Sequence, residues 1–262
     1  MASPDQFPRH PGPDASTVLG KTMLVLRAFT PDDRGVTLAE LGRRTGLAKG
    51  TLHRVCGDLV AAGMLERRDD LYRLGRLMFE LGMRASVERD LLEVANPFLE
   101  ELRAEVNETV HLGVRDGIEV VYIAKLGGRR QVAVPSRTGG RLGLYCTAVG
   151  KALLAHAPKD VLDAVVESGL DRHTARTVTA PGILARQLAQ VRATGVSYEF
   201  EESRLGLVCV GAPVFDLDGE AVAAVSVAGP VTRFNPQANA DRVRATARGI
   251  SATLARRPSR VE

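Results

Sequence analysis

The chain has 262 residues, 45% of them hydrophobic, with 35 Lys and Arg against 31 Asp and Glu for a net charge of +4. That length and apolar content exclude a disordered chain and leave room for two domains with separate cores, while the near balance of charge excludes a polybasic coat. Three widely spaced cysteines in apolar context, Cys56, Cys146 and Cys209, argue against both a disulfide framework and a zinc site, and fit a reducing cytoplasm.

Residues 1–15, rich in Pro and polar side chains, read as a disordered tail without the hydrophobic core of a signal peptide. No stretch of the chain approaches the roughly 18 to 20 apolar residues of a membrane span, so no membrane association is expected. Ser16 or Thr17 is a candidate N-cap for a first helix in which Val18, Met23, Leu24, Leu26 and Phe29 face the elements that follow, and Pro31-Asp32-Asp33 ends it.

Residues 37–59, TLAELGRRTGLAKGTLHRVCGDL, fit two short helices crossing at a glycine turn. Leu38 and Leu41 share one face, Gly42 is small where a second helix must cross, and Gly46 can take the left-handed conformation that ends the first helix. Leu47 plugs the corner. Leu52, Val55, Cys56 and Leu59 then recur at helical steps, which turns Lys49, Thr51, His53 and Arg54 outward. Downstream, a helix stop at Gly63, a strand at 64–68, a turn at Asp69-Asp70 and a returning strand at 71–74 complete a winged helix-turn-helix over 16–76. Between Thr37 and Arg76 there are eight Arg or Lys against five Asp or Glu, so a net +3 of the chain's surplus lies in this segment. Lys49, Thr51, His53 and Arg54 are the candidates for the major groove, and Arg43, Arg44, Arg67 and Arg68 for phosphate or minor-groove contact.

Leu77, Met78, Phe79, Leu81 and Met83 open a linker segment, 77–95, as an unusually apolar helix. It is either a dimerisation surface or a core helix of the second domain. From 96 to 262 the pattern is mixed. Asn96-Pro97 reads as the N-cap and first position of a helix, then strands at 109–115 and 118–125 flank Asp116-Gly117, and Gln131 to Pro135 looks like another strand. Helices follow at 147–156, 160–168 and 181–195, strands at 196–200, 207–216 and 220–228, and a terminal helix at about 238–256. The fold class is α+β in two domains, the second an antiparallel sheet flanked by helices.

Six segments stand in one order: TLAELGRRTGLAKGTLHR, the wing strand YRLG, NETVHLGVRDGIEVVYIAK, LYCTAVGKALLA, EESRLGLVCVGAPVFDLDGE and AAVSVAGP. Through them the chain resembles the IclR family of bacterial transcription regulators from Ser16 to about Leu254. The resemblance implies a homodimer or dimer of dimers on pseudo-palindromic double-stranded operator DNA. It also implies a GAF-like C-terminal domain holding a small effector, often a carboxylate, with no cofactor or metal.

Carried over residue by residue, the family's effector pocket falls on Val134, Cys146, Ala148, Val149, Glu199, Leu207, Cys209, Ser226 and Ala228. Ala148 and Val149 open a helix whose unpaired N–H groups suit an anion, and Ser226 can donate a further hydrogen bond. Family members that bind small keto acids commonly have a second serine in place of Ala228 and an aspartate in place of Glu199. Those departures favour a larger, partly apolar or aromatic acid over glyoxylate or pyruvate. Glu199, Glu201 and Glu202 read equally well as a solvated strand end. The rival reading is a thiol- or serine-dependent hydrolase using Cys146 or Ser226 with His111, His156 or His173 as base. No motif places any of these histidines beside either nucleophile.

Overall fold

The computed structural model describes residues 14–30, 32–84, 89–128 and 134–256. Its contacts divide the chain into two compact units, one spanning Arg9–Val87 and the other Glu88–Glu262. Almost all of the expected tail, residues 1–13, lies outside the described residues. Among the described residues no helix is long and apolar enough to cross a membrane.

In the first unit, Thr17 rather than Ser16 caps α1 (Val18–Arg27), accepting a hydrogen bond from the Gly20 N–H at 2.9 Å. Val25 is the α1 residue sunk in the core, whereas Val18 is 65% exposed. Val18 lies on the same stripe two turns earlier, before the small core begins. Thr37 caps α2 (Leu38–Thr45), and Gly46 ends it in the left-handed region at φ 68°. Helix α3 (Lys49–Ala61) buries Leu52, Val55, Cys56 and Leu59. Gly42 is not a tight crossing point, because a Cβ placed there would meet Leu52 at an ordinary 3.6 Å. Strands β2 (Leu65–Arg68) and β3 (Leu71–Leu74) form the wing. A strand of two residues, β1 (Val36–Thr37), pairs with β3. It is too short to leave a periodic signal.

Helix α4 (Arg76–Arg84) belongs to this first unit. Leu77 and Met78 are half-buried, but Phe79 is 70% and Leu81 42% exposed, so α4 is not a core helix of the second domain.

The second unit is built on a six-stranded antiparallel sheet in the order β6-β5-β4-β9-β8-β7. The strands are β4 (Thr109–Asp116), β5 (Glu119–Leu126), β6 (Arg141–Gly143), β7 (Ser197–Phe200), β8 (Leu207–Phe215) and β9 (Ala221–Pro230). On one face, α5 (Arg89–Val106) and α9 (Ala240–Leu254) set Val94, Leu99, Leu102, Val243 and Ile250 against Val110, Leu112, Val210, Val225 and Val227. Opposite them lie α6 (Ala148–Leu154), α7 (Lys159–Glu167) and α8 (Pro181–Thr194), with a core of Tyr122, Leu144, Val149, Leu153, Val165, Leu184 and Leu188.

Two expectations change here. Helix α5 does not start at Asn96-Pro97 but runs through it from Arg89. Leu91, Val94 and Ala95 are buried in the same core as Leu99, so packing carries the helix past a proline that lacks the N–H of a helix interior. Most of the strand expected at 131–135 lies outside the described residues, and the sheet edge beside β5 is taken by β6 instead.

Candidate functional site

On α3, Lys49, His53 and Arg54 are exposed and Thr51 is half-buried, so the four define one outer face of the second helix of the helix-turn-helix. Arg54 stands 4.0 Å from Asp58, one turn on. Arg43 is 74% exposed and rests against Glu40, a pairing that water or another anion readily displaces. Arg44 is occupied elsewhere. Its guanidinium reaches Asp33 at 2.6 and 3.0 Å, Glu40 at 2.7 Å and the Ala28 carbonyl at 2.9 Å, which clamps the end of α1 to α2. Those contacts hold the Asp33 carboxyl well below its usual range. At the wing tip Asp69 takes φ 53°, and Arg67 donates to its carbonyl at 2.9 Å while lying 5.6 Å over the Tyr72 ring. Arg68 is exposed.

In the second unit a small cavity of about 20 Å³, room for roughly one water, lies between α6 and the sheet. Strand register builds its floor. Glu199, Cys209 and Ala228 form one cross-strand row, and Ser197, Gly211, Ser226 and His111 the next. Helix α6 comes close because Gly211 has no side chain: a Cβ there would lie 3.0 Å from Ala148 backbone atoms. Ser197 Oγ donates to the Ala148 carbonyl at 2.6 Å and fixes the helix start. Thr147 caps that helix by accepting from the Gly150 N–H at 3.0 Å.

Eight of the nine residues expected at an effector pocket line this cavity: Val134, Ala148, Val149, Glu199, Leu207, Cys209, Ser226 and Ala228. Cys146 does not. Its thiol turns away toward the Gly143 carbonyl, within the core of α6 and α8. Glu199 and Glu202 are 2% and 3% exposed, so they are no solvated strand end. Burial raises the Glu199 carboxyl above its usual value, against hydrogen bonds from the Ser203 N–H and hydroxyl.

Family models for the IclR helix-turn-helix domain and the bacterial transcriptional regulator IclR C-terminal domain match residues 18–69 and 83–252. The chain belongs to the IclR family. It is 35% identical to the transcriptional regulator BhcR of Paracoccus denitrificans over 85% of this chain and 82% of that one. Its identity to the regulator KdgR of Escherichia coli is 34%, over 86% of each. Among solved structures, an IclR homolog of Microbacterium hydrocarbonoxydans complexed with 4-hydroxybenzoate matches with TM-score 0.84 and 31% identity, over 91% of this chain and 99% of that one. Thermotoga maritima IclR matches with TM-score 0.75 and 30% identity, over 90% and 98%.

In this IclR-family chain the cavity also holds residues that the sequence reading did not assign to it: Tyr122, Ser136, Thr147, Ser203 and, above all, His111. The signal was present in β4. Val110, Leu112 and Val114 alternate with Thr109, His111 and Gly113, and both faces of the strand are buried, so the second set had to line something. His111 Nδ1 lies 3.4 Å from Ser226 Oγ, a pairing that no sequence motif signals. The pair is nonetheless poorly suited to base chemistry. Burial, aided by Lys125, pushes the His111 imidazole down to about 3, far from a general base poised near neutral pH, and its other nitrogen meets Ser136 rather than a carboxylate. Burial also pushes the Cys146 and Cys209 thiols well up, away from the reactive thiolate.

Behind the cavity Lys151, 1% exposed, donates to Glu202 at 2.6 Å and to Gln187 at 3.1 Å. One ammonium thereby ties α6 to α8 and to the turn that carries Ser203. Sequence inspection missed it because a lysine inside a helix reads as a solvated residue.

Proposed function

We propose that this chain acts in the cytoplasm as a homodimer that binds a pseudo-palindromic operator and changes its DNA affinity when a small, partly apolar or aromatic carboxylic acid enters the cavity of the second unit. Lys49, Thr51, His53 and Arg54 read base edges in the major groove, and Arg43, Arg67 and Arg68 hold phosphates or the minor groove. Arg44 acts one step back, as the clamp that presents α2. The exposed apolar side chains of α1 and α4, Val18, Leu19, Phe79 and Leu81, supply surface for a second copy.

The observation that carries the effector reading is the cavity itself. Apolar Val134, Ala148, Leu207 and Ala228 are gathered with Ser226, Thr147 and His111 in a buried space outside the main core. Such a mixture of apolar walls and a few convergent polar groups is what a small ligand needs. At about 20 Å³ the cavity holds roughly one water, so a benzoate-sized acid requires its lining to give way on binding. The neighbouring structure with 4-hydroxybenzoate supports an aromatic acid as the first ligand to try.

The test combines selection of operator DNA from a random pool with a thermal-shift series of benzoate, 4-hydroxybenzoate and pyruvate. The expected result is an enriched palindrome with half-sites about 34 Å apart, and stabilisation by the aromatic acids that is weaker in Ser226→Ala. No enriched DNA, or no shift with any acid, counts against the corresponding half of the reading.

A further inference from the structure

A line of polar groups leads from the half-buried Lys125 to one wall of the cavity, which Ser136, His111 and Ser226 form. Lys125 Nζ donates to the Ser136 carbonyl at 2.7 Å, Ser136 Oγ lies 2.7 Å from His111 Nε2, and His111 Nδ1 lies 3.4 Å from Ser226 Oγ. His111 and Ser226 are direct partners across β4 and β9, so backbone register sets the last contact. The Tyr122 ring packs edge-on against the imidazole at 5.3 Å, and Glu199 lines the same cavity.

A neutral imidazole has one donor nitrogen and one acceptor, so the direction of the first bond dictates the second. With the Ser136 hydroxyl donating to Nε2 across the 2.7 Å contact, the ring proton sits on Nδ1, directed at Ser226 Oγ. With its oxygen accepting from the ring, Ser226 is left to turn its own proton into the cavity.

We propose that His111 is a specificity-determining residue of this cavity: in its Nδ1–H tautomer it makes Ser226 a hydrogen-bond donor, which selects ligands carrying an acceptor such as a carboxylate or carbonyl oxygen over ligands offering only donors. The inference rests on the effector reading of the cavity. Burial next to Lys125 keeps the ring neutral, so the relay persists in mildly acidic solution.

The test is nitrogen-15 NMR of the full chain with labelled histidine, the His111 signals assigned by their loss in His111→Phe. The expected result is a neutral ring protonated on Nδ1 from pH 7 to pH 5, with a mixture of tautomers in Ser136→Ala. A ring protonated on Nε2, or a cationic ring at pH 6, overturns the proposal. Calorimetry then compares benzoate with aniline. The unaltered chain should prefer benzoate, His111→Phe should weaken benzoate about tenfold, and Ser226→Ala should do the same with no further loss in the double variant. His111→Asn, which returns an N–H near the position of Nδ1, should recover most of the affinity. Unchanged benzoate affinity in a folded His111→Phe chain also overturns the proposal. Failure of the unaltered chain to bind benzoate while Nδ1 carries the proton defeats the effector reading and this inference with it, whereas the wrong tautomer with benzoate bound defeats this inference alone.

Discussion

The two units keep their functional groups in opposite surroundings. Lys49, His53, Arg54, Arg43 and Arg68 stand in solvent on short local elements, whereas His111, Glu199, Ser226 and Lys151 are buried, brought together from segments up to 115 residues apart. Charges that meet DNA can stay hydrated until phosphate replaces the water, so they burden folding little. Polar groups that meet a small ligand inside a domain must be satisfied by one another first, so they are structural before they are functional. Substitutions in the first unit should therefore separate binding from stability, and those in the second should not.

The largest effect is expected at Lys151. Lys151→Met leaves the Glu202 carboxyl buried without its cation and should lower the stability of the second unit by about 3 to 5 kcal/mol in urea unfolding. Lys151→Met with Glu202→Leu should recover most of that loss, and a single variant as stable as the unaltered chain would show that the pair does not hold α6 in place.

Next comes the pH dependence of His111. The ring is neutral when folded, with its pKa pushed down to about 3, but takes a proton near 6.5 when unfolded. Its contribution to stability is thus complete above pH 6.5 and declines as pH falls from there toward 3. By linkage the unaltered chain should lose about 2 kcal/mol more than His111→Gln between pH 7 and pH 5. Parallel pH profiles for the two chains would place the ring in contact with water.

In the first unit, Arg54→Ala should weaken operator binding by about 1 to 3 kcal/mol at one base position while changing stability by no more than about 0.5 kcal/mol. Arg67→Ala should weaken all DNA sequences alike and lower the salt slope by about one. If Arg54→Ala destabilised the fold as much as it weakened binding, the contrast between the units would break. The smallest effect should come from Thr37→Ala, which removes the cap on the Glu40 N–H and should cost about 1 kcal/mol of stability in the first unit.

The helix-turn-helix was legible because its signals are local. Gly46 stops one helix, four apolar residues bury the next, and the outer face follows by geometry. Arg44 marks the limit even there, since its pairing with Asp33, eleven residues away, appears only in the folded unit. In the second unit the strands and most helix starts were equally local, but Asn96-Pro97 misled because tertiary packing on Leu91 and Val94 outweighed the signal of a helix start. Most of the cavity was reached by likeness to the family. Cys146, adjacent to genuine lining residues, turned out to face another core.

What the sequence by itself determined are the features with a period or a stop: helix and strand identity, the winged reader, and which faces of α3 are wet. Tertiary structure alone decided which buried polar groups meet. The pairing of His111 with Ser226 depends on the register of two strands more than a hundred residues apart, and that of Lys151 with Glu202 on helix α6 settling over a bare Gly211. A one-residue slip in either strand would turn these side chains to the opposite face, and no property of the residues taken singly records the register that was chosen.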